Sequence, residues 1–136
     1  MSDTPPCPKT GQFSWNELIT NDATASGEFY ASLFGWKVIT FPGSGTDGRP
    51  PYLLFTSDNS PMGAGGMMPC MQPGTPTHWT PYVVVEDADA SVAKAAELGA
   101  KILVPVMPVP QVGRIAVIMD PQGAVMGLHE LPKPAA

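Results

Sequence analysis

Apolar and polar positions along this chain follow one pattern twice. Residues 80–103 read TPYVVVEDADASVAKAAELGAKIL: a β-branched run, an aspartate, apolar Val92, Ala95 and Ala96 at helical spacing, then Gly99. Residues 15–39 repeat the plan with WNELIT, Asp22, then Ala25, Phe29 and Leu33 at helical spacing, then Gly35. A shift of 65 residues sets Asp22 on Asp87, Ala23 on Ala88, Ala25 on Ala90, Ser26 on Ser91, Ala31 on Ala96 and Leu33 on Leu98. With Phe34 as a one-residue insertion, Gly35 meets Gly99 and Lys37 meets Lys101. The same shift pairs Gly48 and Arg49 with Gly113 and Arg114, and a shift of 60 pairs the P-x-G-A at 61–64 with that at 121–124. One structural unit is used twice, in conserved order.

The pattern predicts β-α-β-β-β in each copy. Asp22 and Asp87 stand where a helix wants an N-cap acceptor, and Gly35 and Gly99 where it wants a left-handed stop. Ala25, Phe29 and Leu33 are the expected apolar face of the first helix, and Val92, Ala95 and Ala96 that of the second. Later strands are expected over 37–41, 52–57 and 65–68, then 101–104, 115–119 and 125–130. The segment 42–51, PGSGTDGRPP, is turn chemistry, whereas its counterpart 104–113, VPVMPVPQVG, is apolar and proline-stiffened and reads as a loop able to cover a cavity mouth. The expected organisation is a flexible tail over 1–11, a single domain over 12–131 made of modules 12–69 and 78–131 joined by a linker over 70–77, and a tail over 132–136.

Composition narrows the partners. A formal charge of −5 with only 7 Lys and Arg lacks the basic footprint of a nucleic-acid or anionic-membrane protein. The two cysteines, Cys7 and Cys70, make no disulfide framework and fit a reducing compartment. No signal peptide and no apolar run of about 20 residues is seen, so a cytoplasmic protein is expected. The glycines of GAGG at 63–66 do not make a phosphate loop, because no Lys-Ser/Thr follows, and they read as a bulged strand start. Eight methionines serve either as core gap-fillers or as an adaptable binding surface.

The paired modules, with FYASLFGW after the first helix cap and DPQGAVMGLHEL at the end, resemble the glyoxalase/bleomycin-resistance/extradiol-dioxygenase superfamily, the vicinal oxygen chelate proteins. The likeness runs from about residue 12 to 131 and is closest to small bacterial proteins related to lactoylglutathione lyase. It implies an α+β fold, two tandem βαβββ modules forming curled mixed sheets that make a cup for a divalent metal or a ligand. It also implies a homodimer, since a single pair of modules commonly completes its cups across a two-fold axis.

Metal-dependent members carry a ligand, usually His, seven residues before the cap aspartate, and another, usually Glu, on each module's last strand. Those positions fall here on Trp15 and Thr80, and on Met67 and Gly127. This set suits no divalent ion, so no cofactor is expected, with a divalent metal as the alternative. Glu17, His78 and His129 each lie two residues from one of these positions, on the same strand faces. A displaced acid/base site built from them is the alternative reading.

Two functions from different classes follow, beside that of a structural partner domain. The first is a metal-free protein that binds a small, partly apolar molecule in the cup by sequestration, as bleomycin-resistance proteins do, with Trp15, Glu17, Met67, Thr80, Tyr82, Gly127 and His129 lining the site. The second is a lyase, isomerase or dioxygenase of the glyoxalase type, with Glu17, His78 and His129 as catalytic candidates.

Overall fold

The structure is a computed structural model that describes residues 7–45, 48, 50–70 and 73–133. Of the expected features, the tails at 1–6 and 134–136, the loop positions 46, 47 and 49, and linker residues 71 and 72 lie outside the described residues, as does the Met62 side chain. The match of Arg49 to Arg114 therefore has one member outside them.

The elements run β1 (Phe13–Thr20), α1 (Ala23–Phe34), β2 (Lys37–Thr40), β3 (Leu53–Ser57), β4 (Ser60–Pro69), β5 (His78–Val84), α2 (Ala88–Glu97), β6 (Lys101–Val109), β7 (Gly113–Met119) and β8 (Val125–Glu130). This is the α+β, twice-repeated β-α-β-β-β order. The chain forms two compact units, one over 15–80 and one over 81–136 together with 1–14. In the first unit the strands order β2-β3-β4-β1, with β1 parallel to β4; in the second they order β5-β8-β7-β6, with β5 parallel to β8.

Both helices start as expected. Asp22 and Asp87 are extended residues whose carboxylates accept from Ala25 N at 3.0 Å and Ala90 N at 3.1 Å. Gly35 closes α1 at φ 74°, with its N–H donating to Ala31 O.

The facing of α1 differs from the expected one. Ala25, Phe29 and Leu33 point outward, while Ala23, Gly27 and Tyr30 face the sheet, where Leu18, Phe55 and Met67 form the buried core. The reason is close approach: a β-carbon at Gly27 would already sit 3.4 Å from Val38 and 3.6 Å from Met67. Tyr30 then becomes the hub of an aromatic cluster, with ring centroids 5.7 Å from Phe55 and 5.5 Å from Trp79, and its hydroxyl accepts from Trp79 Nε1 at 3.1 Å. In α2, Val92 and Ala95 are half-buried, but Ala96 is exposed.

The stiff loop expected over 104–113 is mostly strand. β6 extends to Val109 and pairs antiparallel with β7, its register shifting between Ile102 and Val104 and again between Val104 and Met107. Prolines are admissible there because β6 is the last strand of its sheet order, and Pro105 also falls within the second register shift. In the first unit, the GAGG glycines lie inside β4 rather than at its start.

One polar clamp ties α2 to its sheet. Glu130 on β8 accepts from Ala88 N at 2.9 Å, at the first turn of α2, and from Arg114 Nε and Nη2 at 2.9 and 2.7 Å; Arg114 also donates to Asp89 at 2.7 Å. The Arg114 bonds, then the Ala88 N–H, hold the Glu130 carboxyl down at about 2. A depressed carboxyl stabilises the fold above its unfolded pKa and loses that contribution as pH falls from about 4.5 to about 2. Replacing Glu130 by Gln is expected to cost about 1–3 kcal/mol at neutral pH, and the melting-temperature gap to wild type should close on acidification through that window.

Candidate functional site

In the first unit the site is built on the β1 face opposite α1. Leu18 lies under the helix, so the pleat turns Trp15, Glu17 and Ile19 the other way. The parallel register sets Gly66 beside Glu17 and Met67 beside Leu18. Met67 is therefore not on the face of Trp15 and Glu17, and its thioether fills the core against Leu18 and Phe55. In the second unit Tyr82, which a shift of 65 sets on Glu17, pairs with Gly127. Gly66, rather than Met67, is thus the structural counterpart of Gly127. The P-x-G-A alignment is out by one residue, which in a strand exchanges the two faces.

Each of these glycines carries a tyrosine ring. A β-carbon on Gly66 would collide with the Tyr52 hydroxyl and ring, and one on Gly127 with the Tyr82 ring. Neither position accepts a glutamate without moving the ring that covers it. Trp15 uses a third glycine: a β-carbon at Gly63, which sits at φ +132°, would lie 2.7 Å from Trp15 Cη2.

The polar groups of this face form a line. Trp15 Nε1 donates to Tyr52 Oη at 2.9 Å, and Tyr52 hydrogen-bonds Glu17, which is itself buried. Burial first, and the Glu17 charge second, push the Tyr52 phenol far above its ordinary value. The phenol therefore stays protonated and serves as a hydrogen-bond relay between indole and carboxylate, and not as a base.

The remaining candidates have local partners. His78, at the start of β5, donates from Nδ1 to Pro76 O at 2.8 Å. His129 donates from Nε2 to Val112 O at 2.7 Å, which makes Nδ1 the acceptor, in the neutral ring, of the Ser14 hydroxyl at 2.9 Å. Thr80 is buried, as is Tyr82. Among the described residues no group of three or more His, Cys, Asp or Glu side chains is placed to hold a metal ion. The donor chemistry agrees: Trp15, Gly66, Thr80 and Gly127 offer one neutral hydroxyl between them, so the residues present do not fit the divalent ion that the superfamily's enzymes use.

Sequence reasoning missed Tyr52, Gly66 and Ser14. Tyr52 stands at the close of a proline- and glycine-rich loop with no motif around it, and Gly66 was legible only through strand register.

The fold of paired βαβββ modules places the chain among the glyoxalase/bleomycin-resistance/extradiol-dioxygenase proteins. Its sequence matches the glyoxalase-like domain over residues 16–129, and the chain belongs to that family. It is 37% identical over 120 residues to the putative glyoxylase CFP32 of Mycobacterium bovis and of Mycobacterium tuberculosis, covering 88% of this chain and 44% of theirs. It is 33% identical over 131 residues to the anthracycline biosynthesis protein DnrV of Streptomyces peucetius, covering 87% and 46%. The chain thus spans less than half the length of these curated relatives. Among solved structures, homoprotocatechuate 2,3-dioxygenase from Brevibacterium fuscum superposes with a TM-score of 0.61 at 18% identity, over 96% of this chain and 40% of that one. The hypothetical protein BH1468 from Bacillus halodurans does so with 0.59 at 12%, over 94% and 99%. Among the described residues, no helix is long and apolar enough to cross a membrane.

The raised Tyr52 phenol makes a pH prediction. Because the unfolded phenol loses its proton near 10 and the folded one well above that, folding stability falls as pH rises beyond about 10. Ultraviolet titration of the folded protein should show no Tyr52 ionisation there, so that Tyr52→Phe leaves the phenolate amplitude below pH ~11 unchanged.

Proposed function

We propose that this chain is a metal-free member of the family that binds a small, partly apolar molecule on the Trp15, Glu17 and Tyr52 face. The observation that carries the reading is the seating of Tyr52 and Tyr82 on Gly66 and Gly127, which puts a ring where a metal-dependent relative would need a carboxylate. The superfamily cup then becomes apolar, with one carboxylate and one indole face. A planar ring would stack on Trp15 while a hydroxyl or amine of the ligand donates to Glu17, since a carboxylate has capacity for more than one donor. The similarity to DnrV, an anthracycline biosynthesis protein, supports a polycyclic aromatic ligand. In this reading binding is sequestration without turnover.

The relatives described as putative glyoxylases favour a second reading, a lyase of the glyoxalase type. It would require Glu17 or His129 to move a proton, and His129 would first have to release Ser14.

Titration with an anthracycline, followed by its own fluorescence and by tryptophan quenching, separates the two. Micromolar binding is expected, weakened about tenfold, or ~1.4 kcal/mol, in Trp15→Ala and in Glu17→Gln, with no change in the ligand by mass spectrometry. Absence of binding, together with conversion of a hemithioacetal substrate, would support the lyase reading instead.

A further inference from the structure

Beyond Thr40 and Leu53, the antiparallel register of β2 and β3 brings Phe41 opposite Tyr52. Phe41 N donates to Tyr52 O at 2.8 Å, which makes this a close pair, and in a close pair the return bond runs from Tyr52 N to Phe41 O. Here the return passes through a side chain. Tyr52 N donates to Ser44 Oγ at 3.0 Å, and Ser44 Oγ donates on to Phe41 O at 2.7 Å. One serine hydroxyl is thus inserted into the ladder, two bonds in series where a single bond of about 2.9 Å belongs.

Local chemistry puts the hydroxyl there. Pro42 and Gly43, the latter at φ 85°, turn the chain so that Ser44 N also donates to Phe41 O at 3.1 Å. On the return, Pro50 and Pro51 carry no N–H, so Tyr52 is the first residue after them able to donate to the ladder. The Tyr52 ring has little freedom of its own. It is seated on Gly66, accepts from Trp15 Nε1 at 2.9 Å and hydrogen-bonds Glu17.

We infer that Ser44 is a positioning residue for the Trp15, Glu17 and Tyr52 face: its inserted hydroxyl sets the separation of Phe41 and Tyr52 at which the Tyr52 ring lies over Gly66 and spans from the indole to the carboxylate. Without the hydroxyl, Tyr52 N–H either closes directly on Phe41 O, which draws the backbone carrying the ring toward β2, or is left unpaired. In both cases the ring loses the support that fixes it. The consequence for binding rests on the ligand-binding function proposed for this face, whereas the hold on the ring does not.

Proton–nitrogen NMR of the ligand-free chain tests this, because Trp15, Trp36 and Trp79 give three indole N–H signals and the one displaced by Tyr52→Phe belongs to Trp15. In Ser44→Ala that signal is expected to move toward its Tyr52→Phe position, and in Ser44→Thr, which keeps the hydroxyl, to hold its wild-type position. A Trp15 signal unmoved by Ser44→Ala, or moved as far by Ser44→Thr, would overturn the proposal. Hydrogen exchange on wild type reads the same bond without substitution and decides the matter if Ser44→Ala does not fold: the Tyr52 amide should be protected, and exchange at the rate of an unbonded amide would overturn the proposal as well. Anthracycline affinity should fall about tenfold in Ser44→Ala and be retained in Ser44→Thr. If the indole responds as expected and wild type binds no anthracycline, the ligand-binding function fails while the role of Ser44 stands.

Discussion

The candidate site depends on a steric exchange: a tyrosine ring occupies the space that a side chain would need on the last strand of each module. Tyr52 can lie over Gly66, and Tyr82 over Gly127, only because those glycines have no β-carbon. A carboxylate-bearing residue at either position would have to displace the ring. The buried Glu17 hydrogen-bonds the Tyr52 phenol, and the phenol is polarised from the other side by Trp15 Nε1. Because a buried polar group left unpaired is costly, the line from Trp15 through Tyr52 to Glu17 is what lets these groups be buried together on one strand face.

A second close approach sets the helix. Gly27 brings α1 down onto Val38 and Met67, which turns Tyr30 inward as the centre of the aromatic cluster and Phe29, Leu33 and Phe34 outward. The apolar residues of α1 are thus shared between an inner and an outer surface. α2 is held differently, by the Glu130 and Arg114 clamp at its first turn, and its outer side is charged.

Much of this was legible in the sequence because it repeats at local spacings. Asp22 and Asp87 as caps, Gly35 as a stop, and the order of strands all follow from backbone chemistry that operates within a few residues. What was not legible depends on partners distant in sequence. Phe29 and Leu33 have a core-like spacing, but which helical face turns inward was settled by Gly27 against Val38 and Met67. Met67 took the place of Gly66 because a motif alignment tolerates a one-residue slip and a strand face does not. The prolines at 105 and 108 argue for a loop until the edge position of β6 makes them admissible. Ser14 beside His129 joins positions 115 residues apart, and no local pattern announces it.

The most direct test of the central claim is the metal content of purified protein, followed by calorimetric titration with zinc, nickel, iron(II), manganese and magnesium. Tyrosine rings seated on Gly66 in one module and on Gly127 in the other predict no stoichiometric metal and no saturable heat. One equivalent of tightly held metal, released by Glu17→Ala or His129→Ala, would contradict it and place this chain with the metal-dependent enzymes of its superfamily.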